Sequence, residues 1–341
     1  MGVAPFLSLV LVEMQLFILG NPAHAAQPKP PSIAVIDAPS NLGLRPPKPG
    51  VEPGVKYLPN ALRKAGLVER LGARDAGRIE PAPYNPGSNA ETGFRNGPAI
   101  AKFALDLASK LAPILDREEF ALVLGGDCGI LLGPMLALKE RGRYGLAYID
   151  GHDDFSYARD PKYRGRYTAG GLALGLVTGH GPDALVDLKD GKPYVRSEDA
   201  VQIGLSRLSE DTEFAATETF ERSGIRTWPV EEIERRGALA VGEEARAYLT
   251  GAPTKGFWIH LDADVLDKTI MPAVDSPNDH GLMFGPLKTI LIALLSSPKA
   301  VGLEITIFDP DLDRDGRLAA DLVLVIEQAF AESGRFSRQG L

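Results

Sequence analysis

The sequence has a single cysteine, Cys128, in 341 residues. No disulfide can form within the chain, and the redox compartment stays open. Basic residues are not in excess: 37 Lys and Arg stand against 45 Asp and Glu, a formal net charge of -8. Phosphate binding needs basic surface, so a nucleic-acid partner is not expected. No apolar run reaches the roughly 20 residues that a membrane-spanning helix requires, so no membrane partner is expected either. There is no Gly-x-Ser-x-Gly elbow, no Walker loop and no dinucleotide fingerprint followed by an acidic residue. Internal repeats and blocks of like charge are also missing.

What is present is ordinary globular composition, 44% hydrophobic and 24% charged. The length suits one large α/β domain or two small ones. The first 26 residues differ from the rest. Residues 5–19 are mostly apolar, and Ala23-His24-Ala25 has the small-x-small form of a signal-peptidase site. Against export, the first 12 residues hold no Lys or Arg, and Glu13 interrupts the apolar run. We set residues 1–26 apart as a leader and take 32–335 as the folded domain. The cytoplasm is the expected compartment, or the periplasm or the exterior of the cell if residues 1–25 are a signal peptide.

From Ser32 the pattern alternates. Strands are expected over 32–37, 78–83, 120–124, 144–149, 200–204, 225–228, 256–261 and 301–308. Helices are expected over 59–71, 98–115, 130–141, 169–178, 231–234, 238–249, 286–295 and 318–331. Ile100, Phe103, Leu107, Leu111 and Ile114 recur at helical spacing. Eight strands with helices between them predict a three-layer α/β/α sandwich on an eight-stranded, mostly parallel sheet. Two polar stretches, 39–56 and 155–167, are candidate active-site loops.

The most informative stretch is Ala147-Tyr148-Ile149-Asp150-Gly151-His152-Asp153-Asp154-Phe155. An apolar run ends in Asp150, His152 and Asp154, spaced by two. In extended chain these three side chains point one way. Carboxylates and an imidazole converging on one spot repel and lose hydration unless a cation neutralises them. Phe257-Trp258-Ile259-His260-Leu261-Asp262-Ala263-Asp264 repeats the pattern, and Ala121-Leu122-Val123-Leu124-Gly125-Gly126-Asp127-Cys128 begins it a third time. Three such strand ends predict one site at the carboxyl edge of a parallel sheet. Taken singly, each Asp reads as a cap or turn former. Asp150-x-His152 also opens the metallophosphoesterase pattern, but no later Gly-Asn-His follows.

These motifs resemble the ureohydrolase family of arginases, agmatinases and formimidoylglutamases. The likeness rests on Gly125-Gly126-Asp127-Cys128, on Asp150-x-His152-x-Asp154, and on Asp262-x-Asp264 with Pro272-Ala273 beyond. Gly50-Val51-Glu52-Pro53-Gly54 and Leu62-Arg63-Lys64-Ala65-Gly66-Leu67 resemble that family's opening. The resemblance implies a binuclear centre of two divalent ions, manganese by family habit. Cys128 would stand in a histidine's place at the first ion, with Asp154 completing that set. His152 and Asp264 would bind the second, and Asp150 and Asp262 would bridge. The implied reaction is attack by a metal-bridging hydroxide on a planar carbon bearing nitrogen, with Asp154 orienting the nucleophile and moving its proton. Family members form trimers or hexamers, so a homo-oligomer acting on a small molecule is expected.

Three departures bear on activity. A thiolate at Cys128 adds negative charge to a shell that four carboxylates already balance, which favours zinc, cobalt or iron; the other reading is a buried small hydrophobe. Ile307, in Gly302-Leu303-Glu304-Ile305-Thr306-Ile307, falls where arginases and agmatinases carry the glutamate that holds a guanidinium. Gly170, in Tyr167-Thr168-Ala169-Gly170-Gly171, falls where arginases carry a proton-shuttling histidine. Asp275 is a candidate replacement carboxylate, with a plain turn as its rival. His260 shares a strand face with Asp262 and is a candidate support residue or a core histidine. His280 is a candidate proton carrier or a loop histidine; His180, Asp153 and Asp127 read as structural. The expected function is metal-dependent hydrolysis of a non-peptide C–N bond in an amidine- or guanidine-like molecule. The alternatives are a metal- or ligand-binding protein without turnover, and a hydrolase of another amide.

Overall fold

The computed structural model describes residues 1–2, 31–89, 92–155, 167–206 and 220–336. All but the first two residues of the leader, and most of the expected loop 155–167, lie outside the described residues. Eight strands form one sheet: β1 (Ile33–Asp37), β2 (Arg74–Arg78), β3 (Phe120–Leu124), β4 (Gly145–Ile149), β5 (Ala200–Ile203), β6 (Arg226–Trp228), β7 (Phe257–Asp262) and β8 (Ala300–Thr306). Their order is β2-β1-β3-β8-β7-β4-β5-β6, and every pairing is parallel. Parallel sheets are covered on both faces, which is why the inner strands read as continuous apolar runs. β1, β3, β4 and β7 are buried at every residue.

The helices fall into two groups that pack among themselves. Gly97–Asp116 lies against Leu132–Lys139 in one; Phe284–Leu295 lies against Ala238–Gly251 and Arg317–Glu332 in the other. Gly97–Asp116 buries Ile100, Phe103, Leu107, Leu111 and Ile114, the stripe its sequence predicted. No described helix is long and apolar enough to cross a membrane.

Three of the differences from expectation bear on the sheet and the site. β2 lies at Arg74–Arg78 rather than 78–83. It is an edge strand with largely exposed residues, so it carries no apolar signal, and Pro81 and Pro83 cannot donate to a ladder. The helix expected over 59–71 is two, Leu58–Lys64 and Leu67–Arg70, separated at Gly66 with φ of 89°. β8 stops at Thr306 because Ile307 takes a left-handed φ of 69°.

Register then assembles the site. Tyr148 on β4 pairs with His260 on β7, which pairs with Glu304 on β8. One step of two onward, Asp262 pairs with Thr306. Side chains two apart share a face, so the row Tyr148, His260, Glu304 lies beneath a row holding Asp150, Asp262 and Thr306. Both rows sit at the carboxyl end of the central strands, where open α/β sheets bind ligands.

Candidate metal centre

Each strand end turns in the same way. Asp127 accepts from the Gly129 N–H at 2.9 Å, Asp150 from His152 N–H at 2.6 Å and Asp262 from Asp264 N–H at 2.6 Å. These are Asx turns, which an aspartate forms with the backbone two residues on. They correct the expectation of extended chain: β4 ends at Ile149, and His152 reaches the site through the turn rather than through strand alternation. Beyond it Asp154 has a positive φ of 41°.

The result is two donor groups that share a residue. Cys128, Asp150, His260 and Asp262 each offer a ligand atom, all mutually within 4.8 Å. Asp150, His152 and Asp264 do the same. All are buried except His152, whose side chain is 40% exposed. Cys128 Sγ donates to Asp262 Oδ2 at 2.8 Å and lies 3.3 Å from Thr306 Oγ1. His152 Nδ1 is 3.0 Å from Asp264 Oδ2 and 3.8 Å from Asp150 Oδ1. Asp154 belongs to neither group; its Oδ2 accepts from the Tyr148 hydroxyl at 2.7 Å.

Surrounding residues fix this arrangement. Gln202 Nε2 donates to the backbone oxygens of Asp150 at 3.0 Å and His152 at 2.8 Å. Asn278 Nδ2 donates to the Asp264 oxygen at 2.8 Å. Asp127 is the structural anchor expected of it, accepting from Ser40 Oγ at 2.8 Å and Gly43 N–H at 3.0 Å. Ser40 to Leu44, in the candidate loop 39–56, are buried against this turn. At Gly126 an added Cβ would stand 1.7 Å from the Ser40 oxygen, so only glycine permits that contact.

Electrostatics make the pocket hungry for positive charge. Burial, then mutual repulsion, pushes the carboxyls of Asp150, Asp154, Asp262 and Asp264 well above their ordinary value. Burial and the same carboxylates push the Cys128 thiol up. Burial holds the His260 imidazole down to about 3, so it is neutral.

The donors fit a divalent ion. Asp150 Oδ2, His260 Nε2 and Asp264 Oδ1 are buried without a hydrogen-bond partner. An orphaned buried polar group costs about 1–3 kcal/mol, more if charged; a cation in the group of His260 and another in the group of Asp264, with Asp150 common to both, would satisfy all three. Carboxylates, imidazole and thiol are the donor types that first-row divalent metals take.

The remaining candidates lie apart. Asp275 stands at the rim; enclosure of its carboxyl by the surrounding chain raises it, and the Ser276 hydroxyl, donating to Oδ2 at 3.3 Å, and the Arg45 guanidinium oppose. His280 faces Glu234 at 3.2 Å and Glu231 at 3.8 Å, away from the pocket. His180 packs on the Phe155 ring at 4.7 Å, and burial raises Asp153. Ile307 is buried, its N–H donating to the Gly126 oxygen at 2.8 Å. At Gly170 an added Cβ would meet the Gly43 oxygen at 2.8 Å and Leu44 Cδ2 at 2.9 Å, so no histidine fits unless residues 43–44 move.

Sequence reasoning passed over Tyr148, Glu304 and Thr306. The signal for Glu304 was there: one acid inside an otherwise apolar strand.

Similarity to known proteins agrees with this geometry. A model of the arginase family matches residues 31–328. The arginase of Bacillus caldovelox is 29% identical over 308 residues, covering 88% of this chain and 98% of that protein. Its solved structure superposes with a TM-score of 0.78 at 28% identity, covering 89% of this chain and 99% of that one. The arginase structure from Bacillus cereus gives a TM-score of 0.75 at 30% identity, covering 88% and 98%. With the family's model spanning nearly the whole domain and the sheet edge built as described, this chain belongs to the arginase family.

Proposed function

We propose that this protein is a divalent-metal-dependent hydrolase of a non-peptide C–N bond in a small amidine- or guanidine-like molecule. The observation that carries the reading is the pair of donor groups joined at Asp150. When bound, two divalent ions supply Lewis acidity and a water ionised near neutral pH. Manganese is the family expectation, and Cys128 moves preference toward zinc, cobalt or iron. Asp150, common to both groups, would hold both ions; Cys128 and Asp262 would hold one, and His152 and Asp264 the other. Asp154, positioned through the Tyr148 hydroxyl, would take the proton of the attacking water and return it to the leaving nitrogen. The same reading carries a homo-oligomer.

The substrate is narrowed by two positions. Ile307 offers no charge to a guanidinium, and an unpaired buried charge costs about 3–5 kcal/mol. Gly170 has no room for a proton-carrying side chain without movement of residues 43–44. The favoured substrate is therefore neutral or weakly basic at its reacting end, unless Asp275 supplies the partner from the rim. These two losses also support a second reading, binding without turnover.

A turnover screen of the metal-loaded protein over guanidino, formimino and amide compounds tests this. The expected result is hydrolysis of a neutral or weakly basic compound, with arginine below a kcat/KM of roughly 10⁴ M⁻¹s⁻¹. Arginine hydrolysis above that value overturns the substrate reading; no turnover of any class overturns the enzyme reading.

A further inference from the structure

We infer that His260 is a ligand of the ion that Cys128 holds, and that Glu304 is the positioning residue that aims it. This rests on the metal reading above and extends it, because the family likeness gave His260 no metal.

The geometry selects one ring nitrogen. His260 is wholly buried, and its Nδ1 lies 2.6 Å from Glu304 Oε1. That bond leaves Nε2 for the donor group, where it has no hydrogen-bond partner. Nε2 lies 3.9 Å from Asp150 Oδ2, an oxygen that also lacks one. That distance is too long for a hydrogen bond. Two donors each about 2.0–2.2 Å from one ion lie at most ~4.4 Å apart, so the gap is one that a single ion spans. Cys128 Sγ and an Asp262 oxygen lie in the same cluster.

The ring is also held against rotation. Tyr148 stacks flat on it, centroids 4.4 Å apart and planes 4° from parallel. Glu304 grips its far nitrogen from the next strand, in register. Carboxylate–histidine–metal chains use this arrangement to fix tautomer and direction. A core histidine needs neither an unpartnered nitrogen nor a cluster of three other donors in front of it.

The consequence is a relocation of the imidazole. The strand end of β3 offers sulfur at Cys128, and β7 offers the nitrogen two residues before Asp262. The set is then one sulfur, one nitrogen and two carboxylates, with Asp154 turned to Tyr148 instead. Such mixed donors suit zinc or cobalt better than manganese.

Cobalt(II) alone is the probe, titrated into the purified full chain. Thiolate-to-cobalt charge transfer reports the Cys128 ion, and paramagnetically shifted ring N–H signals count bound histidines. Wild type should show the thiolate band and two shifted histidines, His152 and His260. His260→Gln should weaken the band-reporting ion a hundredfold or more, remove one shifted signal and leave the other ion's affinity within a few-fold. Glu304→Gln should weaken that ion by about 10–100-fold. Circular dichroism checks both variants for folding; if His260→Gln does not fold, the count of shifted histidines in wild type decides. An unchanged band titration in a folded His260→Gln, or one shifted histidine in wild type, overturns the inference while leaving a metal centre in place. Cobalt bound without a thiolate band also overturns it. No cobalt bound by wild type overturns both this inference and the metal reading beneath it.

Discussion

Cys128 is the residue on which the proposed metal preference turns. Its sulfur is buried, 2.8 Å from Asp262 Oδ2, in surroundings that favour the neutral thiol. Only a cation nearby reverses that preference, because a coordinated thiol gives up its proton. Cys128→Ser should therefore lower affinity at one ion and leave the other unchanged. Cys128→His should keep two ions and move selectivity toward manganese, since imidazole removes a negative charge from the donor set. Competition between manganese and zinc, followed by elemental analysis, reads both variants; equal content and selectivity in all three proteins would mean that Cys128 is only packed nearby. Ile307 is the second telling residue. A β-branched side chain at positive φ is an outlier that stores about 1–3 kcal/mol, and it does so where the chain leaves β8 for the site.

At the scale of elements, the site is a meeting of three Asx turns at the ends of β3, β7 and β4, with β8 between the first two, closed by residues 40–44. Gly126→Ala tests that closure. Its Cβ would overlap the Ser40 oxygen, a backbone atom that cannot swing aside. We expect a loss of about 1–3 kcal/mol in stability, the usual scale for overpacking, read by urea titration. Affinity for the Cys128 ion should fall with it, because the same turn delivers the sulfur. Unchanged stability and metal affinity would place the closure elsewhere. Much of this element layout was legible in the sequence. Apolar runs ending in Asp150, Asp262 and Asp127 located β4, β7 and β3 and the sheet edge they share. β2 was not legible, because an exposed edge strand has no apolar face to signal it. Nor was the row Tyr148, His260, Glu304, since lateral register between strands distant in sequence has no local signature. Asp154 follows the turn at Asp150 with its Oδ2 on the Tyr148 hydroxyl at 2.7 Å, beside the cluster rather than within either donor group; strand alternation alone does not show that placement.

For the whole molecule, the buried carboxylates tie stability to pH and to metal. Asp150, Asp154, Asp262 and Asp264 hold protons in the folded, metal-free chain well above the ordinary value of 3.8. Between 3.8 and those raised values the folded state binds more protons than the unfolded one, so stability is full below that window and falls as pH rises through it. Metal-free protein should thus melt at lower temperature at pH 8 than at pH 5. Metal reverses the trend, because ions displace those protons and bind more tightly as pH rises. At a hundredfold excess over Kd each ion adds about 2.7 kcal/mol. A metal-free melting temperature that climbs from pH 5 to pH 8 would argue against the buried carboxylate cluster. The most direct test of the shared centre is metal stoichiometry by elemental analysis, after loading and removal of free ion. Wild type should hold two ions per chain, and Asp150→Asn, which removes the residue common to both groups, should retain neither; one ion or none in wild type, or two in Asp150→Asn, would contradict the shared centre.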